Sequence, residues 1–176
     1  LQELQVTEGK EWMPQTSKTE NTIQFNYFMG DQLINVKYRD GRKNFKLYKG
    51  AEKVFYNINS IIGYDECIIV EGEMDVLALH EVGIKNVISV PNGATLNSNN
   101  LDYLDNCIDY FEDKTKIILA VDADEPGQAL KHELIRRLGA EACYTVDFAG
   151  CKDANDYLIE HDADMLRSAI HTAKQV

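Results

Sequence analysis

Two groups of acidic residues each follow an apolar run, and their types and spacing suit the binding of a divalent metal ion. In CIIVEGEMD, Glu71 directly follows the apolar run that ends at Val70, and Asp75 lies four residues further on. In IILAVDADEPG, Asp122 and Asp124 leave a second apolar run as a D-x-D pair. Side chains two residues apart on an extended chain point to the same side, so this pair can face one ligand.

If these two groups meet in space, their carboxylates repel each other. Each close pair costs about 4 kcal/mol at a separation of 4 Å and an effective dielectric constant near 20. Without a cation, the repulsion would force protonation or fraying of the helix start. Because the donors are hard oxygen atoms, Mg²⁺ is the expected ion, and Mn²⁺ would also suit the site. The alternative is ordinary capping, since acidic residues in the first turn of a helix interact favourably with its dipole.

A third acidic segment, GCKDANDYL, contains Asp153 and Asp156. Asp153 has the position of a helix N-cap, and Asp156 that of the acid in a capping box. The segment also follows a predicted strand, so we expect Asp153 to lie close to the metal site.

The segments that position these acids are predicted to be alternating strands and helices. Short apolar runs predict strands at Cys67–Val70, Val87–Val90, Ile117–Val121 and Ala142–Val146. Helical spacing predicts helices at Met74–Val82, Asn100–Phe111, Gly127–Leu138, Ala154–Glu160 and Ala163–Ala173. Gly83 and Gly139 have the positions of glycines that end helices. The pattern predicts an α/β fold with a central parallel sheet flanked by helices, whose functional site lies at the carboxyl ends of the strands.

The first third of the chain has a different character. We expect a flexible arm at residues 1–20, a small basic β-rich subdomain of three antiparallel strands at 21–62, and the α/β domain at 63–176. Basic residues are concentrated between positions 31 and 53: Lys37, Arg39, Arg42, Lys43, Lys46, Lys49 and Lys53. This matters because the whole chain has a formal net charge of -11, which disfavours contact with nucleic-acid phosphates.

Composition excludes several classes of protein. The chain has 176 residues, of which 44% are hydrophobic and 27% charged, as in soluble globular proteins, and no apolar run reaches the roughly 20 residues of a membrane span. The four cysteines are scattered without a CxxC pair, so we expect no zinc in this fragment and reduced thiols in the cytoplasm. The sequence lacks an initiator methionine, and we expect it to be part of a longer chain.

The motifs EGEMD and VDADEPG together resemble the toprim domain shared by bacterial-type primases, topoisomerases and some nucleases. The stretches VPNGATLN and KDANDYL narrow the resemblance to phage-type primase-helicases and their mitochondrial helicase relatives. The stretch YRDGRKNFKLYKG is similar to the basic amino-terminal subdomain of a primase RNA polymerase domain. The resemblance extends over roughly residues 22–173.

This resemblance implies a DNA primase catalytic domain that makes short RNA primers on a single-stranded DNA template from ribonucleoside triphosphates, with a replicative helicase as partner. The implied catalytic residues are Glu71, Asp75, Asp122 and Asp124, and the implied metal ligands are these four together with Asp153. For nucleic-acid and nucleotide binding we expect Arg39, Lys43, Lys46, Lys49, Asn92 and Gly93, on the basic stretch and on a strand-to-helix loop. The resemblance leaves Glu73 without a catalytic role, and we expect it to be solvated.

Three alternatives stay open at this point. A toprim nuclease would use the same acids to hydrolyse DNA. A non-catalytic nucleic-acid or helicase-docking module would keep the fold with an inactive site. A phosphoacceptor receiver domain also gathers acids at strand ends and needs a lysine after a late strand, a position that Lys152 could fill.

Overall fold

The first of two β-sheets is antiparallel and comes from the amino-terminal third of the chain. The structure is a computed structural model that describes residues 1–94 and 101–176. The sheet has the strand order β1-β2-β3-β4. Its strands are β1 (Val6–Met13), β2 (Lys18–Met29), β3 (Gln32–Asp40) and β4 (Phe45–Leu47).

Most of the segment that we expected to be a flexible arm, residues 1–20, instead belongs to this sheet, in β1 and the start of β2. Strand β1 pairs with β2 over its whole length, from Val6 opposite Phe25 to Met13 opposite Lys18. The side chain of Met13 is fully buried. The eight residues of β1 include few apolar side chains and therefore gave a weak strand signal. The strand forms because its backbone pairs with β2. The sheet therefore has four strands, one more than predicted.

The second sheet has the strand order β6-β5-β7-β8-β9 and contains the predicted parallel strands. These are β5 (Glu66–Val70), β6 (Val87–Ser89), β7 (Lys116–Leu119) and β8 (Cys143–Thr145), with β9 (Lys174–Gln175) antiparallel at the edge. Strands β5 and β7 are neighbours in this sheet. The residues that follow them therefore meet at one edge, which confirms the predicted α/β architecture.

Within residues 1–94 and 101–176, five α-helices connect or flank these strands. They are α1 (Glu73–Glu81), α2 (Asp102–Asp105), α3 (Glu125–Leu138), α4 (Ala154–Glu160) and α5 (Ala163–His171). The long helix predicted from residue 100 to 111 is only a single turn, α2, followed by a 3₁₀ turn at Ile108–Phe111. Its predicted start, Asn100, lies outside the described residues, as does the end of the VPNGATLN motif. Gly83 and Gly139 follow α1 and α3 with φ angles of 88° and 91°, as expected for glycines that end helices.

One hydrophobic core joins the two sheets. Phe25 and Tyr27 of β2 both pack edge-on against the fully buried Tyr56, with ring centroids 5.8 and 5.3 Å apart. Tyr56 in turn pairs its backbone with Ser89 of β6, through hydrogen bonds of 2.9 and 3.3 Å. The connection between the sheets is thus itself buried, and it holds the basic sheet against the sheet that carries the acids.

The four cysteines are buried as free thiols, and burial raises the pKa of Cys67 to about 12. Over the residues that the structure describes, no helix combines the length and apolar character needed to cross a membrane.

Candidate metal centre

The acids of the first two motifs lie at the carboxyl ends of β5 and β7. Glu71 directly follows β5, and Asp75 lies in the first turn of α1. Asp122 follows β7, and Asp124 is the N-cap of α3, where its side chain accepts a hydrogen bond from the backbone of Gly127. Two neighbouring strand-to-helix turns therefore supply all four carboxylates.

These carboxylates form two groups that share one member. Oxygen atoms of Glu71, Asp122 and Asp124 lie within 4.8 Å of one another, and so do oxygen atoms of Asp75, Asp122 and Asp153. The convergence that the spacing of the motifs predicted is therefore present. Together the two groups contain five carboxylates, including the shared Asp122, and they can supply the ligands of one or two hard divalent cations.

Backbone amides hold the first two carboxylates in place. Glu71 accepts hydrogen bonds from the backbone N–H of Asp122 at 3.1 Å and from that of Ala94 at 3.2 Å. Asp75 accepts one from the backbone N–H of Asn155 at 3.1 Å. Glu71 thus connects the β5 and β7 turns, and Asp75 connects α1 to the start of α4.

Gly127 lets the two turns approach each other closely. A Cβ atom at this position would lie 2.2 Å from the carbonyl oxygen of Asp122 and 2.5 Å from Oε1 of Glu71. Both distances are far shorter than the contacts that real Cβ atoms make, so any side chain here would push the carboxylate of Glu71 or the β7 turn away. The glycine of the DADEPG motif is thus part of the geometry of the site.

Asp153 caps α4, as predicted, and also lies in the second carboxylate group. Its Oδ1 accepts a hydrogen bond from the backbone N–H of Asp156 at 2.8 Å. A carboxylate has two oxygen atoms and about four acceptor positions, so capping by Oδ1 is compatible with a ligand role for the other oxygen.

The metal-free cluster disfavours its own negative charge. Burial, followed by the charge of Asp122, raises the pKa of Glu71 to about 7. Burial and the neighbouring Asp153 raise the pKa of Asp75 well above its usual value. Burial also raises the pKa of Asp122, although Lys152 acts in the opposite direction. A divalent cation would relieve this strain, and the hard oxygen donors fit Mg²⁺ or Mn²⁺.

Lys152 already supplies one positive charge to the site. Its Nζ lies 2.8 Å from Oδ2 of Asp122, while 54% of the lysine side chain is exposed. This is the contact that a receiver domain would need, and it occupies an oxygen of the shared aspartate. Because the lysine is more than half exposed, it can move into solvent when a cation binds Asp122. A single lysine also leaves most of the charge of five carboxylates uncompensated.

A further group of possible metal ligands was not expected from the sequence. Cys151, Glu160 and His161 place ligand atoms within 4.8 Å of one another. The sequence signal for it is only the proximity of Glu160 and His161 at the end of α4. The expectation of no zinc in this fragment stays a prediction.

Four of these carboxylates line an open cavity of about 470 Å³: Glu71, Asp75, Asp122 and Asp153. Lys37 and Lys46, from β3 and β4, line the same cavity, as do Asn92 and Gly93. We call the part of the cavity formed by Lys37 and Lys46 the basic wall. The Nζ of Lys46 also lies 2.7 Å from Oε1 of Glu11 on β1.

The other predicted nucleic-acid contacts lie elsewhere. Among the described residues, those that line this cavity do not include Arg39, Lys43 or Lys49. Lys43 and Lys49 are exposed beside β4, whereas Arg39 lines a different cavity on the antiparallel sheet. Beside β4, Tyr48 is 60% exposed, whereas Tyr38 of β3 is buried.

The prediction that Glu73 is solvated is wrong. Glu73 is only 3% exposed, and both its oxygens accept hydrogen bonds from Nζ of Lys37, at 2.9 and 3.0 Å. The hydroxyl of Tyr27 also donates to it. Sequence reasoning missed Lys37 and Tyr27 as neighbours of the site. Both lie on the antiparallel sheet, more than thirty residues before the acidic motif, so local spacing could not connect them to it.

Comparison with known proteins places this fold and site in a family. A family model described as Toprim-like matches residues 68–158, and the chain belongs to this family. The chain is 38% identical over 172 residues to the Primase homolog protein of Arabidopsis thaliana, covering 88% of this chain and 51% of that protein. It is 35% identical over 172 residues to the Twinkle homolog protein, chloroplastic/mitochondrial, of the same plant, covering 88% of this chain and 24% of that protein.

A solved structure agrees over nearly the whole chain. The primase fragment of the bacteriophage T7 primase-helicase protein superimposes with a TM-score of 0.80 at 23% identity, covering 96% of this chain and 68% of that chain. At this identity the similarity shows the shared fold. Together with the family and the relatives, it identifies the chain as a primase-type domain of the Toprim-like family, as the motifs EGEMD, VDADEPG and KDANDYL indicated.

Proposed function

We propose that this chain is the RNA polymerase domain of a primase, which joins ribonucleotides into short primers on single-stranded DNA during replication. One observation carries the proposal: carboxylates of two groups that share Asp122 line the same open cavity as Lys37 and Lys46. That arrangement suits a nucleoside triphosphate, whose phosphates need cations on one side and whose metal ions need carboxylates on the other.

The carboxylates would hold the metal ions. Glu71, Asp122 and Asp124 would bind one ion, and Asp75, Asp122 and Asp153 a second. Bound Mg²⁺ or Mn²⁺ would lower the pKa of the 3′-hydroxyl and neutralise the charge that develops on the departing pyrophosphate.

The chain's own residues have separate tasks. Glu71 is a ligand or a proton acceptor at the reacting phosphate, because its carboxylate belongs to the first group and lines the cavity. Lys46, with the backbone at Asn92 and Gly93, would contact the triphosphate, because these residues line the cavity. Arg39, Lys43 and Lys49 lie outside that lining, and we propose that they contact the template.

The test is primer synthesis with labelled ribonucleotides, single-stranded DNA and Mg²⁺ or Mn²⁺. A preformed dinucleotide should also be supplied, so that elongation is measured even where initiation is slow. We expect metal-dependent RNA products, and a loss on the order of 10²-fold or more in Glu71→Gln. The matched control is Glu66→Gln, which removes an exposed carboxylate from the opposite end of the same strand and should leave synthesis unchanged.

The same assay separates the rival functions. Metal-dependent loss of the DNA without new RNA would identify a nuclease. Absence of both products, with retained binding of single-stranded DNA, would identify a non-catalytic docking module. The contact of Lys152 with Asp122 is the observation that favours this second candidate, because it fills part of the metal site with a side chain.

A replicative helicase is the protein partner that we propose, in the same chain or as a separate subunit. The support is the likeness to a fragment of a primase-helicase protein. The chain spans about half of one relative and a quarter of the other, so these relatives contain further sequence to which such a partner could correspond. The buried free thiols suit a reducing compartment, and the cytoplasm stays our proposal, although one relative is named as chloroplastic/mitochondrial.

A further inference from the structure

Glu73 is a buried carboxylate that neither carboxylate group of the metal centre includes. It lies in the chain between Glu71 and Asp75, and it begins helix α1. Its charge is met by Lys37 of β3 and by the hydroxyl of Tyr27 of β2. We call Tyr27, Lys37 and Glu73 the inter-sheet cluster, because it joins the antiparallel sheet to the helix that starts at the metal centre.

The antiparallel side of this cluster has little freedom to move. Tyr27 is fully buried, and its ring packs against Tyr56 at 5.3 Å. Lys37 is 9% exposed, and its Nζ lies 5.1 Å from the ring centroid of Phe45 on β4. A displacement of Glu73 would therefore be transmitted to β3 and β4, the strands that carry the basic wall.

The metal ligands do not depend on the cluster in the same way. Glu71 is held by the backbone of Asp122 and Ala94, and Asp75 by the backbone of Asn155. All these contacts are made outside the antiparallel sheet. What the cluster adds is the position of the basic wall relative to the carboxylates.

A buried ion pair is a weak source of stability, because desolvation of the two charges offsets most of their attraction. Such a pair does specify geometry, since each charge is costly to bury without the other. That makes a positioning role more fitting for this pair than a role in stability alone.

We propose that Glu73 is a positioning residue: through Lys37 and Tyr27 it sets the distance between the basic wall and the metal centre, and so governs the affinity for a nucleoside triphosphate. The proposal rests on the proposed function, since the triphosphate is the ligand that both walls would share. It differs from a direct role of Lys37 in phosphate binding, because it requires Lys37 to act while paired with Glu73.

The test compares binding of Mn²⁺ alone with binding of ATP in the presence of Mn²⁺, by isothermal titration. In Glu73→Gln, which keeps the shape and loses the charge, we expect ATP binding to weaken at least tenfold while Mn²⁺ affinity changes less than threefold. Glu81→Gln, an exposed change in the same helix, should match the wild type in both measurements. An equal loss of Mn²⁺ affinity in Glu73→Gln would make Glu73 part of the metal centre, and unchanged ATP binding would also overturn the proposal.

A double variant separates positioning from direct contact. Lys37→Met with Glu73→Met replaces the ion pair by apolar side chains of similar length. If the cluster positions the wall, this double variant should bind ATP at least threefold more tightly than Glu73→Gln alone, although it lacks the charge of Lys37. An affinity no better than that of Glu73→Gln, in a folded protein, would contradict the proposal.

Hydrogen exchange tests the cluster without any nucleotide. We expect Glu73→Gln to speed amide exchange at least tenfold in β4, and to leave β8 unchanged. Unaltered exchange in β4 would overturn the inter-sheet role. If the wild-type protein binds no ATP, but Glu73→Gln still speeds exchange in β4, the proposed function is refuted while the role of the cluster is supported.

Discussion

The substitution Gly127→Ala tests how closely the two acidic turns approach each other. The added Cβ would lie 2.2 Å from the carbonyl oxygen of Asp122 and 2.5 Å from Oε1 of Glu71. Ordinary contacts of a Cβ atom are 3.4–4 Å, so both groups, or the start of α3 itself, must move by about 1 Å. A shift of that size breaks the hydrogen bond of 3.1 Å that holds Glu71 to the backbone of Asp122.

Two opposing effects set the magnitude. Overpacking of this kind costs about 1–3 kcal/mol, while alanine stabilises a helix by up to about 1 kcal/mol relative to glycine. The net loss of unfolding free energy is thus up to about 2 kcal/mol, or a fall in Tm of up to about 8 °C for a chain of this size. The substitution should also weaken metal binding. We expect Mn²⁺ to bind at least about tenfold more weakly, which is about 1.4 kcal/mol of binding free energy.

The assay is thermal unfolding together with Mn²⁺ titration of the folded protein at low temperature. Gly41→Ala is the matched control, because a Cβ there meets no atom within 4 Å and the backbone needs no positive φ. Wild-type Mn²⁺ affinity in Gly127→Ala would refute the reasoning, since it would show that the position of Glu71 does not matter to the metal.

Three further predictions concern the carboxylates and their lysine. In EDTA, the Tm should fall as the pH rises from about 5 through about 7. The pKa values of Glu71, Asp75 and Asp122 are higher in the folded than in the unfolded state, so the folded protein binds more protons over this range. Mg²⁺ should reduce the fall in Tm, and a Tm that stays level in EDTA would contradict the assignment. Lys152→Met should raise Mn²⁺ affinity by about threefold or more, since the lysine competes for Asp122, and a lowered affinity in calorimetry would show that it assists the metal instead. Asp153→Asn should keep the helix cap, and hence the Tm, while it weakens Mn²⁺ binding. Asp153→Ala should weaken Mn²⁺ binding and also lower the unfolding free energy by about 1 kcal/mol. Equal Mn²⁺ affinity in Asp153→Asn and the wild type would leave capping as the role of Asp153.

Local sequence signals were sufficient for the parallel sheet. Each of its four parallel strands contains a short apolar run bounded by polar or turn residues, and the glycine after a helix, as at Gly83, marks where the chain returns. The antiparallel edge strand β9 consists of two exposed polar residues and gave no such signal. Because the carboxyl ends of adjacent parallel strands meet at one edge, placing Glu71 and Asp122 on such strands was enough to predict that they converge.

These local signals could not predict contacts between segments that are distant in the sequence. Strand β1 is mostly polar, and it is ordered by its pairing with β2 rather than by its own sequence. Glu73 looks like any first-turn acid, and its burial depends on Lys37 from a distant strand. Strand β3, QLINVKYRD, contains several polar residues besides Lys37, so this lysine gave no distinctive signal.

We propose that carboxylates from two strand-to-helix turns together hold one divalent cation. Crystals grown with Mn²⁺ and measured near the manganese absorption edge test it most directly. We expect an anomalous peak bonded both to Asp122 and to Glu71 or Asp75, with Lys152 moved away from Asp122. Saturating Mn²⁺ with no peak at these residues, and with Lys152 still paired to Asp122, would contradict the claim.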